Sequence, residues 1–265
     1  MLSQGTEYIY RAQEGKPIGY FYGMSYSGIW QNQEQIDAAN AASIANHPEV
    51  VEQYIANEQV FKGTWADAQP GDCIWDDWNG DGVITYAEGD ACDRHEIGNP
   101  NPDIMLGVNL GLNYKGFDFA VNGAGAFGMQ IMRSYRSFSD APYQNYDTSI
   151  LNRWVGEGSS NTQPRISATG HSNTNWVSTR YMEDADYFKI KTVTLGYDFK
   201  HVWKSCPFQQ LRFYVQAQNL FTFTGYTGLD PEVGNSAGGN GWASGVDLGL
   251  YPPSRTYLVG ASIKF

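Results

Sequence analysis

The stretch RTYLVGASIKF, residues 255–265, decides the reading of this sequence. Tyr257, Val259, Ala261, Ile263 and Phe265 fall on one face of an extended strand, and Leu258, Gly260, Ser262 and Lys264 on the other. An apolar face opposite a small or polar one suits a strand with hydrocarbon on one side and a wet or plugged interior on the other. Closing such strands into a barrel satisfies their backbone groups without water. A half-buried strand of a soluble sheet alternates in the same way, so the rest of the chain must separate the two.

The same pattern recurs upstream. In 104–114, Leu106, Val108, Leu110, Leu112 and Tyr114 alternate with Gly107, Asn109, Gly111 and Asn113. Lys115-Gly116 reads as a tight turn. After it, Phe117, Phe119, Val121 and Phe127 lie opposite Asp118, Asn122 and the alanines. A further strand sets Val193, Leu195, Tyr197 and Phe199 against Thr192, Thr194, Gly196 and Asp198. Its phase flips upstream, where Phe188 and Ile190 are apolar and Lys189 and Lys191 are not, which marks a bulge or a strand projecting above the lipid. Then Leu211, Phe213, Val215, Ala217, Phe221 and Phe223 face away from Arg212, Gln216, Gln218 and Thr222. Short connections (115–116, 200–209) alternate with long ones (129–180, 225–253), the pattern of short periplasmic turns and long external loops. Five strands are clear and a sixth is expected near Tyr8. A closed barrel needs at least about eight, so these strands are expected to close only with others.

Composition agrees. Only 17% of the 265 residues are charged, against 15% aromatic, 30 glycines and 18 tyrosines. No apolar run approaches the roughly 20 residues of a membrane helix, and mean hydropathy is −0.44. A membrane protein of this profile crosses with strands. The net charge of −11 argues against nucleic acid as a partner. The first residues, MLSQGTEYIYRAQEG, have neither the basic start nor the apolar core of a signal peptide. The chain is therefore expected to be either cytoplasmic and soluble or one piece of something longer.

The first hundred residues read differently. Aromatic, glycine-rich 19–30 leads into a polar helical pair, one helix around Glu34–Ile44 and a second over 49–56, split at His47-Pro48. Within a β chain this is a surface insertion. The sharpest chemical motif follows: DWNGDGVITYAE, residues 77–88, fits the calcium loop D-x-[DN]-x-[DN]-G-x5-E. Asp77, Asn79 and Asp81 supply oxygens at alternate positions, Gly82 permits the turn, Val83 offers its carbonyl, and Glu88 closes the site. The alternative is a solvated acidic turn. Helices do not flank the loop, so a structural Ca2+ is expected, not a sensor. Cys73 and Cys92 bracket it and are expected to form a disulfide in an oxidising compartment; Cys206 has no evident partner. No C-x-x-C, G-x-S-x-G or H-E-x-x-H is present, so neither zinc nor catalysis is expected.

Together NGDGVI, IGNPNPD, LNYKGFD, RW, YFKIKTVTLGY, LRFYVQAQNLFTFTGYTGLDPEV and YPPSRTYLVGASIKF resemble the C-terminal part of a SusC/RagA-type TonB-dependent outer-membrane transporter, and PIGYFYGMSYSGIWQNQEQID fits just upstream. The terminal Phe265 resembles the aromatic signal of outer-membrane barrels. The resemblance implies an all-β, antiparallel transmembrane segment of five to six strands from a barrel of about 22. It implies an external region over 1–103 and barrel strands over 104–265. The plug, the TonB box and the other strands lie outside this sequence. It also implies import of oligosaccharide or peptide nutrients at the bacterial outer membrane, with a SusD-like lipoprotein as lid and TonB acting on the plug. The family pattern brings an Asp-Arg pair soon after the NGDG turn. Here that pair is Asp93-Arg94, after an insertion carrying Cys92, which leaves Glu88 and Asp93 both open as the closing ligand. Trp154, Trp176 and Trp242 are loop aromatics for which packing against neighbouring loops competes with substrate stacking. The alternative from another class is a secreted, soluble β-sandwich that binds calcium and carbohydrate.

Overall fold

Lys115 and Gly116 both take positive φ, 46° and 89°, and the chain reverses on these two residues. Two left-handed residues in succession match the right-handed twist of the strands they join. The structure is a computed structural model, and it describes residues 9–134, 148–167, 176–232, 244–249 and 251–265. In chain order its elements are β1 (Tyr10–Arg11), β2 (Tyr20–Gly23), β3 (Tyr26–Ile29), α1 (Gln33–Asn46), α2 (Pro48–Ala56), β4 (Cys73–Trp75), β5 (His95–Gly98), β6 (Ile104–Tyr114), β7 (Phe117–Phe127), β8 (Gln130–Arg133), β9 (Met182–Asp184), β10 (Tyr187–Asp198), β11 (Gln210–Thr224), β12 (Val246–Asp247) and β13 (Thr256–Lys264). The chain divides into two units. One contains 1–100, 132–182 and 235–248; the other contains 101–131, 183–234 and 249–265.

The second unit is built on one antiparallel sheet in the order β13-β11-β10-β7-β6. Its strands are 9 to 15 residues long, near the 9–11 or so that cross a bilayer when tilted. One face carries Leu110, Leu112, Phe213, Val215 and Val259, all exposed, Val259 to 84%. No element among the described residues covers that face, so the second sheet that a sandwich needs is missing from it. The phase flip in β10 is a bulge: the register with β7 and β11 shifts between Ile190 and Thr192. On β11 the shift passes over Asn219 and Leu220; Asn219 takes φ 53° and donates from its side-chain amide to the Ser254 carbonyl at 3.0 Å. The bulge restores the apolar face, because Phe188 pairs with Phe223 and Ile190 with Phe221 beyond it.

The opposite face is polar and crowded. Arg212 on β11 reaches across β10 to Asp118 on β7, with Nε 2.7 Å from Oδ1 and Nη2 2.5 Å from Oδ2. Gly196 lies beneath the pair. Where this face meets the bulged ends, Lys189 is buried and bonds Asp230 at 2.5 Å and Glu232 at 3.1 Å, while Lys191 holds the other Glu232 oxygen at 2.7 Å. The acids of the LDPE turn are thereby pinned to β10. Burial opposes the charge of Glu232, but hydrogen bonds from Lys191 and Lys189 outweigh it and hold its pKa below the ordinary value.

The first unit is made of small sheets. β2 pairs with β1 and β5, and β3 pairs with β4. Ile9, Phe21, Ile97, Met132, Val177, Tyr181 and Val246 form one core cluster; Met24, Cys73 and Trp75 form another, against which Tyr26, Ile84, Tyr86 and Trp176 pack. The sixth barrel strand expected near Tyr8 falls at the edge of the described residues. Tyr8 lies outside the described residues, and β1 is only two residues long and pairs within this small sheet. The helical pair forms as expected, with Asn32 capping α1 by accepting from Gln35 N at 2.9 Å and Pro48 opening α2. Its polar face has a structural use. Asn40 Oδ1 accepts from Trp65 N at 2.8 Å, and Ser43 and Thr64 hydroxyls lie 2.5 Å apart, so α1 grips the segment that follows α2.

Candidate functional site

The NGDG turn folds around its own side chains. Asp77 Oδ1 accepts from Gly80 N and Asp81 N at 2.8 and 3.1 Å, and its Oδ2 from Gly82 N at 2.7 Å. Asn79 Oδ1 accepts from Asp81 N, and Asp81 Oδ1 from Val83 N, both at 2.9 Å. Gly80 and Gly82 take φ 72° and 83°, where a Cβ is strained, and a Cβ on Gly82 would also meet the His47 ring. Asp77, Asn79 and Asp81 therefore converge on one turn as the motif requires.

Of the two residues open as the closing ligand, the structure brings Asp93 to the turn. It is fully buried, accepting from Trp78 N and Asn79 N on one oxygen (2.9 and 3.3 Å) and from Thr85 N on the other (2.6 Å). Burial pushes its pKa up, against the pull of the Thr85, Asn79 and Trp78 amides. Glu88 is turned elsewhere: it is bonded by Arg11 at 2.6 Å and approached by Arg94 at 3.4 Å. Residues 87–91 are all exposed, so the insertion loops out and the count along the chain misleads. As a cation site the turn fits in part. Asp77, Asn79, Asp81 and the Val83 carbonyl suit a hard ion, whereas Glu88 does not join them. Among the described residues no three acidic, histidine or cysteine groups gather at metal-binding spacing.

The expected Cys73–Cys92 disulfide is not formed. Cys73 points into the cluster with Met24 and Trp75, while Cys92 Sγ lies 3.9 Å from the Tyr86 carbonyl on the looped-out insertion. What ties the insertion down is a stack that sequence spacing did not reveal. Arg11 lies over Tyr22 (4.0 Å), Arg94 over Tyr22 and Tyr86 (5.2 and 4.7 Å), Tyr86 stacks on Trp176 (5.3 Å, 10°), and Trp176 meets Trp75 at 5.2 Å.

Beside this stack lies a cavity of about 550 Å3. Gly82, Val83 and Ile84 of the NGDG loop form one wall, Tyr54 of α2 and 60–68 another, and Trp75 and Trp176 also line it. Of the three loop tryptophans expected as candidates, Trp176 reaches the cavity. Trp154 packs over Gly71, where a Cβ would meet its ring, and is not among the lining residues. Trp242 lies outside the described residues.

No family model matches the sequence. It is 30% identical over 257 residues to TonB-dependent receptor P3 of Formosa agariphila, covering 96% of this chain and 23% of that protein. It is 25% identical over 281 residues to TonB-dependent receptor SusC of Bacteroides thetaiotaomicron, covering 98% and 26%. The chain is a homologue of TonB-dependent receptors, SusC among them. It spans about a quarter of the length of the curated relatives it matches. The fold agrees with the solved RagAB peptide importer: its open-open state gives a TM-score of 0.63 at 23% identity over 95% of this chain, and its closed-closed state 0.61 at 20% over 97%. TonB-dependent receptors are outer-membrane proteins and not enzymes, and this homologue is placed in the outer membrane with them.

Proposed function

We propose that this chain supplies C-terminal barrel strands and external loops to a transporter that imports oligosaccharide or peptide nutrients across the outer membrane. The observation that carries the proposal is the five-stranded antiparallel sheet with an apolar face on which Leu110, Leu112, Phe213, Val215 and Val259 are exposed, in a chain similar along its length to TonB-dependent receptors. The rest of the barrel and the plug complete it, TonB drives it, and a SusD-like lipoprotein covers the external loops. The RagAB importer, a peptide transporter by name, supports a two-component machine of this kind. The test is uptake. Cells whose transporter lacks residues 104–265 should lose growth on the oligosaccharide or peptide it serves and regain it on complementation, and an affinity-tagged transporter should co-purify one surface lipoprotein. Undiminished uptake by the deletion strain across both nutrient classes would refute the proposal.

Calcium belongs to the same reading. Asp77, Asn79, Asp81, the Val83 carbonyl and Asp93 would hold the ion, whose role is to offset the charge of the turn and stiffen one cavity wall. Asp81→Ala should loosen the loop while leaving barrel assembly intact. Calorimetry of the purified transporter should register a Ca2+ titration that the variant lacks. Identical titrations of parent and variant would remove the ion from this loop.

A further inference from the structure

We propose that the rim of the five-stranded sheet that carries the β6–β7 turn and the β10–β11 connection is a docking surface for anionic phospholipid headgroups. The inference rests on the import reading, in which these short connections face the periplasm, and goes beyond it by naming the lipid they select. Charge is segregated along the strands. Lys115 stands on the β6–β7 turn, Lys200 and Lys204 on the β10–β11 connection, and Lys264 at the end of β13; these are half of the lysines in the sequence. All four are exposed, and none has a carboxylate within ion-pair distance among the described residues. The acids beside them are committed elsewhere: Asp118 to Arg212, and Asp198 to the backbone amides of Lys200 and Leu211 at 3.0 and 3.4 Å. The bulged end of the same sheet is the reverse. There Lys189 and Lys191 are both paired, with Asp230 and Glu232, and Asp103, Asp184 and Asp186 outnumber the remaining Arg255. The net charge of −11 conceals this division.

Backbone contacts hold these lysines on one rim. Asp198 N donates to the Gly116 carbonyl at 2.8 Å, a Cβ on Gly116 would fall 2.9 Å from His201 Cβ, and Gln209 N donates to the Lys264 carbonyl at 2.7 Å. Just within the rim the apolar face ends in rings. Phe117 meets Tyr197 at 4.4 Å, Tyr197 meets Phe199 at 5.1 Å, and Phe199 meets Phe213 at 5.4 Å. Trp203, half exposed, adds a further ring on the connection itself. Such a band settles at the depth of the headgroups. Lysines one step beyond it lay their stems along apolar surface and keep their charge among the phosphates and water. A zwitterionic headgroup brings a cation of its own, whereas an anionic one brings net charge, and each lysine near an anionic surface raises affinity about fivefold. An acidic protein fits less well, because the rings are continuous with the lipid-facing side and set the lysines at headgroup depth.

The experiment uses the whole transporter in phosphatidylcholine bilayers, with bimane attached at Ser205→Cys, an exposed position of the connection, in a background whose other accessible cysteines are serine. A minor fraction of the lipid carries a chain nitroxide, on phosphatidylglycerol in one arm and on phosphatidylcholine in the other, and bimane quenching is measured. Phosphatidylglycerol should quench the parent about threefold or more better than phosphatidylcholine. Lys115→Gln/Lys200→Gln/Lys204→Gln should bring the ratio near one, with quenching by phosphatidylcholine unchanged as the sign of an intact barrel. Salt at about 1 M, where the screening length is about 3 Å, should do the same. Lys62→Gln, exposed in the first unit, should leave the ratio as it is. Equal quenching of the parent by both lipids, or a preference that survives the triple substitution, overturns the docking surface and leaves the import reading standing. Absence of quenching by either lipid takes the connection off the bilayer and overturns both.

Discussion

Gly196 offers the sharpest test of how the polar face of the sheet is built. A Cβ at this position would fall against Asp118 Oδ1 and 2.6 Å from Arg212 Nε and Nη2, so Gly196→Ala must push the pair apart. The pair is two charge-assisted bonds with side chains 23% and 28% exposed. That places it between exposed ion pairs, worth about 0.2–1 kcal/mol, and buried ones, which cost about 3–5 kcal/mol when broken. A loss of about 1–2 kcal/mol is expected. The three atoms nearest the added methyl all belong to this pair. In an Asp118→Ala/Arg212→Ala background the same substitution should therefore change stability by less than about 0.5 kcal/mol, a coupling that a double-mutant cycle isolates. Equilibrium urea unfolding of the transporter in lipid vesicles measures all four proteins. An equal loss in both backgrounds would show that Gly196 is needed for backbone reasons, and that the pair across it is incidental.

Two further expectations concern the loop acids. Lys189→Met leaves Asp230 without its buried partner and Glu232 with only Lys191, so amide exchange in 225–232 should speed up about tenfold to a hundredfold; unchanged exchange would mean the turn is held by other contacts. Because Glu232 titrates below its ordinary value of 4.5, its contribution is complete above that value and fades as pH falls through the lower, folded pKa. Exchange in the same residues should therefore rise on acidification below about pH 4.5 in the parent and be flatter in Glu232→Gln.

The barrel text was legible because strand periodicity is a local property. The bounds of β6, 104–114, follow directly from the alternation of Leu106, Val108, Leu110 and Leu112 with glycine and asparagine, and the turn at Lys115-Gly116 from its residue types. The bulge in β10 left its trace as the flip between Phe188–Ile190 and Val193–Leu195. The first unit was harder to read, since its strands are two to four residues long and no period can be established in so few positions. At the candidate site spacing left two residues open. Glu88 stands at the twelfth position of the loop motif, but 87–91 are exposed, and it is Asp93 that accepts from the backbone amides of the turn. The cysteines failed for a related reason: bracketing a loop says nothing about where a side chain points, and Cys73 points into the core. The Arg11–Tyr22–Arg94–Tyr86–Trp176 stack joins residues up to 165 positions apart in sequence and leaves no local signal.

The central claim is that alternate residues of this sheet face lipid. Spin labels placed singly at 212–216 of β11 and 258–261 of β13, in the transporter reconstituted into bilayers, report collision with oxygen dissolved in lipid and with a water-soluble nickel chelate. Labels at Phe213, Val215, Val259 and Ala261 should favour oxygen, and labels at Arg212, Tyr214, Gln216, Leu258 and Gly260 should not, giving a period of two on both strands. Uniform accessibility to the nickel chelate along either strand, or the opposite phase, would contradict the account.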